Sequence, residues 1–212
     1  MPMTDLSTLP FPEWKTPDQC AVDINPSWWR DEIGRRGLPG TPPSARHLTR
    51  DDVRASENGV FTPLWWSLAW GAGPRLRLNA RRLDSIADDV PRCEELLTEA
   101  ADLSRRDPFT AYSLLRPGRH NAIRYLGPSF FTKFLYFAGR GAPGHPCLIL
   151  DRRVATALRD RCEWTSLHRT GPWPAETYER YCGLLTRWSQ ESGRAPDEIE
   201  FMLFYGFSAD QN

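Results

Sequence analysis

Only one run in this chain has β-strand character, the four residues Cys147–Leu150, and four residues cannot build a sheet. From Val60 onward the apolar residues recur at helical spacing instead. Leu64, Trp65, Leu68 and Ala69 mark a first helix, which Gly71-Ala72-Gly73-Pro74 stops. Leu76–Ile86 follows, and Cys93, Leu96, Leu97, Ala100 and Leu103 mark a third amphipathic helix. Phe109–Leu115 is a fourth, ended by Pro117-Gly118. Asn121–Leu126 is expected as a short helix entering a Gly127-Pro128 turn, and Ser129–Ala138 as an apolar helix. Asp151 is placed to cap the next helix, whose buried stripe is Val154, Ala155, Leu158 and Cys162. Tyr178, Tyr181, Cys182, Leu185 and Trp188 line a long helix after Pro174. Asp197-Glu198-Ile199-Glu200 opens the last one like a capping box, with Gly206 at its end. No internal repeat interrupts this order, so the fold class is all-α.

Residues 1–57 read differently. Eight prolines between Pro2 and Pro43 forbid long helices there, and only Asn25-Pro26 followed by Ser27-Trp28-Trp29 suggests a short one. The expected division is a Pro-rich N-terminal arm over 1–57, partly docked through Trp14, Trp28 and Trp29, and a helical domain over 58–212. Five scattered cysteines show no metal-ligand spacing, which argues against a zinc or iron–sulfur site. Their odd number, without a secretion signal, fits buried thiols in a reducing compartment, and the expectation is a cytoplasmic monomer. The longest apolar run, around Val60–Ala72, is too short to span a membrane.

Net charge is zero but unevenly spread. Residues 116–169 carry ten basic side chains against three acidic ones, whereas the flanking segments are net acidic. Such a segment makes either a local anion-binding face or a solvated surface laced with ion pairs. It contains Tyr125–Asp151, the stretch richest in chemistry. Of the 27 basic residues only Lys15 and Lys133 are lysines, and Lys133 sits among Phe130, Phe131, Phe134, Leu135 and Phe137. A desolvated lysine can lose its proton and act as a nucleophile, which arginine cannot. From the residue alone, a lysine snorkelling from an amphipathic helix is the simpler reading. Ser129 and Lys133 share a face, with Tyr136 one turn on. The tight turn at Gly127-Pro128 leaves helix N–H groups free to hold a phosphate. His120, Arg124, Arg140 and Arg152 are the side chains around it that could grip a nucleic-acid backbone, and His145 lies beyond it. Phe130 and Tyr136 are candidates to stack on a base. Asp151 is either the cap of its helix alone or also a carboxylate that orients a nucleophile. The cluster Arg75, Arg77, Arg81 and Arg82 reads as a solvated face, and Trp65, Trp66 and Trp70 read as core.

The runs LGPSFFTKFLYFAG and LILDRRVATAL resemble the hairpin and catalytic-aspartate region of helix-hairpin-helix DNA glycosylases. They are similar to bacterial proteins with an 8-oxoguanine DNA glycosylase fold, as is YERYCGLLTRWSQESGRAPDEIEFMLF. The resemblance spans roughly residues 60–205. It implies a domain that binds double-stranded DNA, flips out a damaged base such as an oxidised purine and cuts its N-glycosidic bond, without a cofactor or metal. In bifunctional members a lysine forms a Schiff base with the sugar and an aspartate assists. Asp151 matches that aspartate. The turn keeps one glycine, Gly127, where the family has Gly-x-Gly, and counting from it places the family lysine on Ser129. Counting back from Asp151 places it near Lys133, 18 residues earlier. Lys133 is the favoured nucleophile and Ser129 the competing assignment. The rival expectations are a helix-hairpin-helix DNA-binding protein without chemistry and a protein-interaction module built on the Trp-containing arm.

Overall fold

Helix starts in this protein are set by side chains that replace missing backbone partners. The computed structural model describes residues 20–56, 59–139 and 145–205. Asn25 accepts from the Trp28 N–H and opens α1 (Pro26–Arg35). Thr49 and Asp52 form a reciprocal capping box on α2 (Arg50–Arg54). Asp89 caps α5 (Val90–Leu103) and Asp107 caps α6 (Pro108–Leu115). Asp151 caps α8 (Arg152–Arg161), as its place in the sequence suggests. The other helices are α3 (Phe61–Ala72), α4 (Asn79–Ala87), α7 (Pro128–Ala138), α9 (Ala175–Ser192) and α10 (Pro196–Tyr205). Among the described residues the only strands are β1 (Val22–Asp23) and β2 (His47–Leu48), an antiparallel pair. The all-α class holds.

The core is organised around α3 and α7, which make the most extensive pairing in the molecule. Eight of the eleven residues of α7 are buried, so this helix is central. α6 packs between α5 and α9, and α10 closes over α8 and α9. Ile24, Trp29, Ile33, Leu48 and Val53 belong to the same hydrophobic cluster as these helices. The segment before residue 57 therefore contributes buried side chains to the helical core. It also contributes charge: Arg50 Nη2 meets Glu200 Oε2 at 2.6 Å across 150 residues, with both side chains almost wholly buried.

The strand-like run Cys147–Leu150 is extended, buried and without a strand beside it. Its backbone groups are met by side chains instead, as burial requires. Tyr178 donates its hydroxyl to the Leu148 carbonyl at 2.8 Å, and Tyr181 donates to Ile149 at 2.7 Å. Thr132 Oγ1 accepts the Leu150 N–H at 3.3 Å and donates to the Pro128 carbonyl at 2.8 Å. His145 Nδ1 lies 2.9 Å from the Cys147 carbonyl. α7 and α9 thus hold this segment between them, and Asp151 follows directly.

Three expectations change. Asn121–Leu126 is a turn, not a helix, because Tyr125 takes a left-handed φ of 64° that no helix accommodates. The second helix begins at Asn79 rather than Leu76, for Leu78 is also left-handed, φ 64°. Asp197 does not cap α10. It is buried, accepting from the Tyr136 hydroxyl at 2.6 Å, while Glu198 accepts the Ala195 N–H. Gly206 and Trp14 lie outside the described residues.

Candidate active site

Lys133 is only 5% exposed, so its ammonium must find partners inside the protein. It has two. Nζ donates to the Ser129 carbonyl at 2.8 Å and lies 3.3 Å from Asp151 Oδ2. Asp151 Oδ1 meanwhile accepts the N–H groups of Arg153 and Val154, at 2.9 and 3.2 Å. One carboxylate thus caps α8 and pairs with the lysine. The link that makes this geometry is Thr132, whose hydroxyl holds the backbone at Leu150. Adjacent residues on each side, Thr132 with Lys133 and Leu150 with Asp151, set the two functional groups face to face.

Gly71 makes room for the lysine. A Cβ on that residue would lie 2.6 Å from Lys133 Cδ and 3.0 Å from Cε. The close approach of α3 to α7 at this point therefore depends on glycine. Phe130 stands alongside, its ring centroid 5.9 Å from Lys133 Nζ. The Arg50–Glu200 pair lies near enough for both Asp151 and Lys133 to bear on Glu200. Burial pushes Glu200 up to about 7, with Arg50 and Lys133 opposing that rise and Asp151 adding to it.

The remaining expected residues divide. Pro128 is buried at the first position of α7. Gly127 precedes it in extended backbone, φ −86°, and a Cβ there would make only an ordinary contact with Asn121 at 3.7 Å. The fold itself therefore does not need glycine at this position. Phe130 and Phe131 both donate to the Gly127 carbonyl, while the Ser129 N–H has no acceptor among the described residues. Arg124 is exposed, its guanidinium 4.9 Å from the Tyr125 ring beside the turn. Arg152 is exposed on the first turn of α8. His120 is exposed in the turn after α6 and makes no contact with the lysine pair. Arg140 lies outside the described residues.

One stacking expectation is corrected. Tyr136 is fully buried, its ring flanked by Arg50 and its hydroxyl held by Asp197 and Arg54, so no face is open to a base. Burial raises its hydroxyl to about 12. Phe130 is half-buried and already carries the Arg82 guanidinium 3.7 Å from its centroid. His145 is not a surface histidine but a buried one. Arg82, expected on a solvated face, is buried as well. A cleft of about 680 Å³ beside α5 lies away from Lys133, and its lining of Glu94, Glu95, Glu99 and Asp102 suits no phosphate. No group of His, Cys, Asp and Glu among the described residues is arranged to hold a metal.

A family model described as "Putative 8-oxoguanine DNA glycosylase OGG-like protein" matches residues 15–204. The chain belongs to the OGG-like glycosylase family. The match takes in all ten helices but for the last residue of α10, and it includes most of the Pro-rich N-terminal segment. No curated protein and no solved structure matches the chain. Within this OGG-like protein, no described helix is long and apolar enough to cross a membrane.

Proposed function

We propose that this OGG-like protein is a DNA N-glycosylase that removes an oxidised purine such as 8-oxoguanine from double-stranded DNA, with Lys133 as nucleophile. The observation that carries the reading is the buried Lys133–Asp151 pair at 3.3 Å, in a chain of glycosylase family membership. Nζ has to shed a proton before it can attack, and Asp151 Oδ2 is the acceptor within reach. The C1′–Nζ bond then forms as the C1′–N9 bond breaks, with the bonding pair leaving on the base. Asp151 passes the proton it took to the departing purine, which carries the bonding pair, and the carboxylate, anionic again, offsets the positive charge on the sugar. Opening of the sugar ring gives a Schiff base, from which abasic-site lyase chemistry can proceed.

In this reading the phosphate grip is made by the Ser129 N–H at the start of α7, where Gly127 admits close approach, with Arg124 and Arg152 exposed on neighbouring elements. If Ser129 rather than Lys133 occupies the family's lysine position, water is the nucleophile and no Schiff base forms. A second reading, a DNA-binding protein without chemistry, is favoured by the burial of the lysine, only 5% exposed. Base release decides between them. Duplex DNA holding 8-oxoguanine opposite cytosine is incubated with the protein and the free base quantified by mass spectrometry. Release that Lys133→Gln abolishes supports the enzyme, whereas binding without release from this or other oxidised purines supports the scaffold.

A further inference from the structure

Arg82 is the one buried arginine described here whose charge has no carboxylate to answer it. Arg50 has Glu200, Arg36 has Glu32 and Asp84, and Arg54 has Asp51 and Asp197. Arg82 is 5% exposed and meets only neutral acceptors. Nε donates to the Tyr125 carbonyl at 3.1 Å, and Nη1 to the side-chain oxygen of Asn79 and, at 3.5 Å, to the Arg77 carbonyl. Nη2 has no protein partner and is not among the atoms sealed from solvent. Asn79 is fully buried too, and its Nδ2 is left without an acceptor. Burial alone, unopposed by any anion, lowers the guanidinium to about 10.

A buried cation of this kind is costly unless something negative joins it. The place is informative. The guanidinium lies on Phe130, the same ring that flanks Lys133, and its Nε holds the turn that leads into α7. Lys133 is already paired with Asp151, so Arg82, on the same aromatic ring, is the positive charge left without an anion.

We propose that Arg82 is an anion-binding subsite beside the Lys133–Asp151 pair, with Nη2 directed to a negatively charged atom of the substrate. The inference rests on the glycosylase reading for the identity of that substrate. Two sources carry the chemistry: a backbone phosphate next to the extruded nucleotide, or the purine as it departs with the bonding electron pair of C1′–N9. Arginine suits either, because it stays charged and its fork presents several donors in one plane.

The test uses the full chain and duplexes in which single phosphates around 8-oxoguanine are replaced by neutral methylphosphonate. If a phosphate is the occupant, one replacement weakens wild-type binding by roughly tenfold or more, and Arg82→Gln is insensitive to that same replacement. If the departing base is the occupant, no replacement matters. Arg82→Gln then binds DNA normally, and its single-turnover base release slows roughly tenfold or more, most for purines that leave poorly. Arg82→Lys keeps the charge and recovers part of either loss. The methylphosphonate series needs only the wild-type protein, and circular dichroism establishes that the variants are folded. The proposal is overturned if no replacement matters and Arg82→Gln releases base at the wild-type rate. Should the wild type neither bind nor cut DNA, the glycosylase reading fails separately, and inorganic phosphate becomes the probe. A rise in wild-type Tm with phosphate that Arg82→Gln lacks retains the anion subsite, and equal behaviour removes it.

Discussion

At the scale of the residue, burial decides what each titrating group can do. His145 is the clearest case for pH. Desolvation lowers its imidazolium below the ordinary histidine value, opposed by the Cys147 carbonyl. The unfolded chain therefore binds a proton near pH 6.5 that the folded chain refuses, so stability falls as pH drops through that value. Glu200 works in the opposite sense. Held up to about 7 by burial, it favours the folded state as pH falls from 7 towards 4.5. The histidine contribution is isolated by comparison: urea denaturation between pH 7.5 and 5.5 should weaken the wild type more than His145→Gln. Equal slopes for the two would contradict it. The lysine is a different matter, for its neighbours are geometric. Its stem crosses α3 at Gly71, so Gly71→Ala should change stability by less than about 1 kcal/mol, since the side chain that must yield is flexible. Base release should nevertheless fall by roughly 10- to 100-fold as Nζ moves off Asp151. Gly34→Ala, where nothing lies within 4 Å, is the control and should leave the rate unchanged.

At the scale of the element, the telling feature is the extended run before Asp151. Thr132→Val leaves the buried Leu150 N–H without an acceptor and should cost about 1–3 kcal/mol in denaturation. It should also slow base release, because the same bond fixes Asp151 opposite Lys133; a destabilised variant with full activity would separate the two roles. Two helix starts were legible in the sequence because caps are local: Asp151 and Asn25 each act within three residues of their place in the chain. The turn at 121–126 was not, since its shape depends on Arg82, 43 residues earlier, holding the Tyr125 carbonyl. Arg82 itself had no local signature among Arg75, Arg77 and Arg81, and Asp197 looked like a cap while its partner Tyr136 lies 61 residues away. Lys133 and Asp151 were legible as a matched pair through the family resemblance, because 18 residues separate them and no local periodicity links them.

At the scale of the whole molecule, the N-terminal segment and the last helix are tied by two ion pairs, Arg50–Glu200 and Arg54–Asp197, the first of them fully buried. Arg50→Met removes the partner of the buried Glu200, which must then take up a proton or bury an unpaired charge, and should cost about 3–5 kcal/mol, whereas Arg50→Met with Glu200→Leu should recover much of that loss. Both would be read from urea midpoints, and a negligible cost for the single variant would show that α2 and α10 are not coupled. The function rests on the same long-range assembly, with α3, α7 and the extended run converging on Lys133. The most direct test of that centre is borohydride trapping on duplex DNA holding 8-oxoguanine opposite cytosine. A covalent protein–DNA adduct should form with the wild type and vanish with Lys133→Gln, which should still bind the duplex. An adduct that survives in Lys133→Gln, or base release with no adduct from the wild type, would contradict Lys133 as the nucleophile.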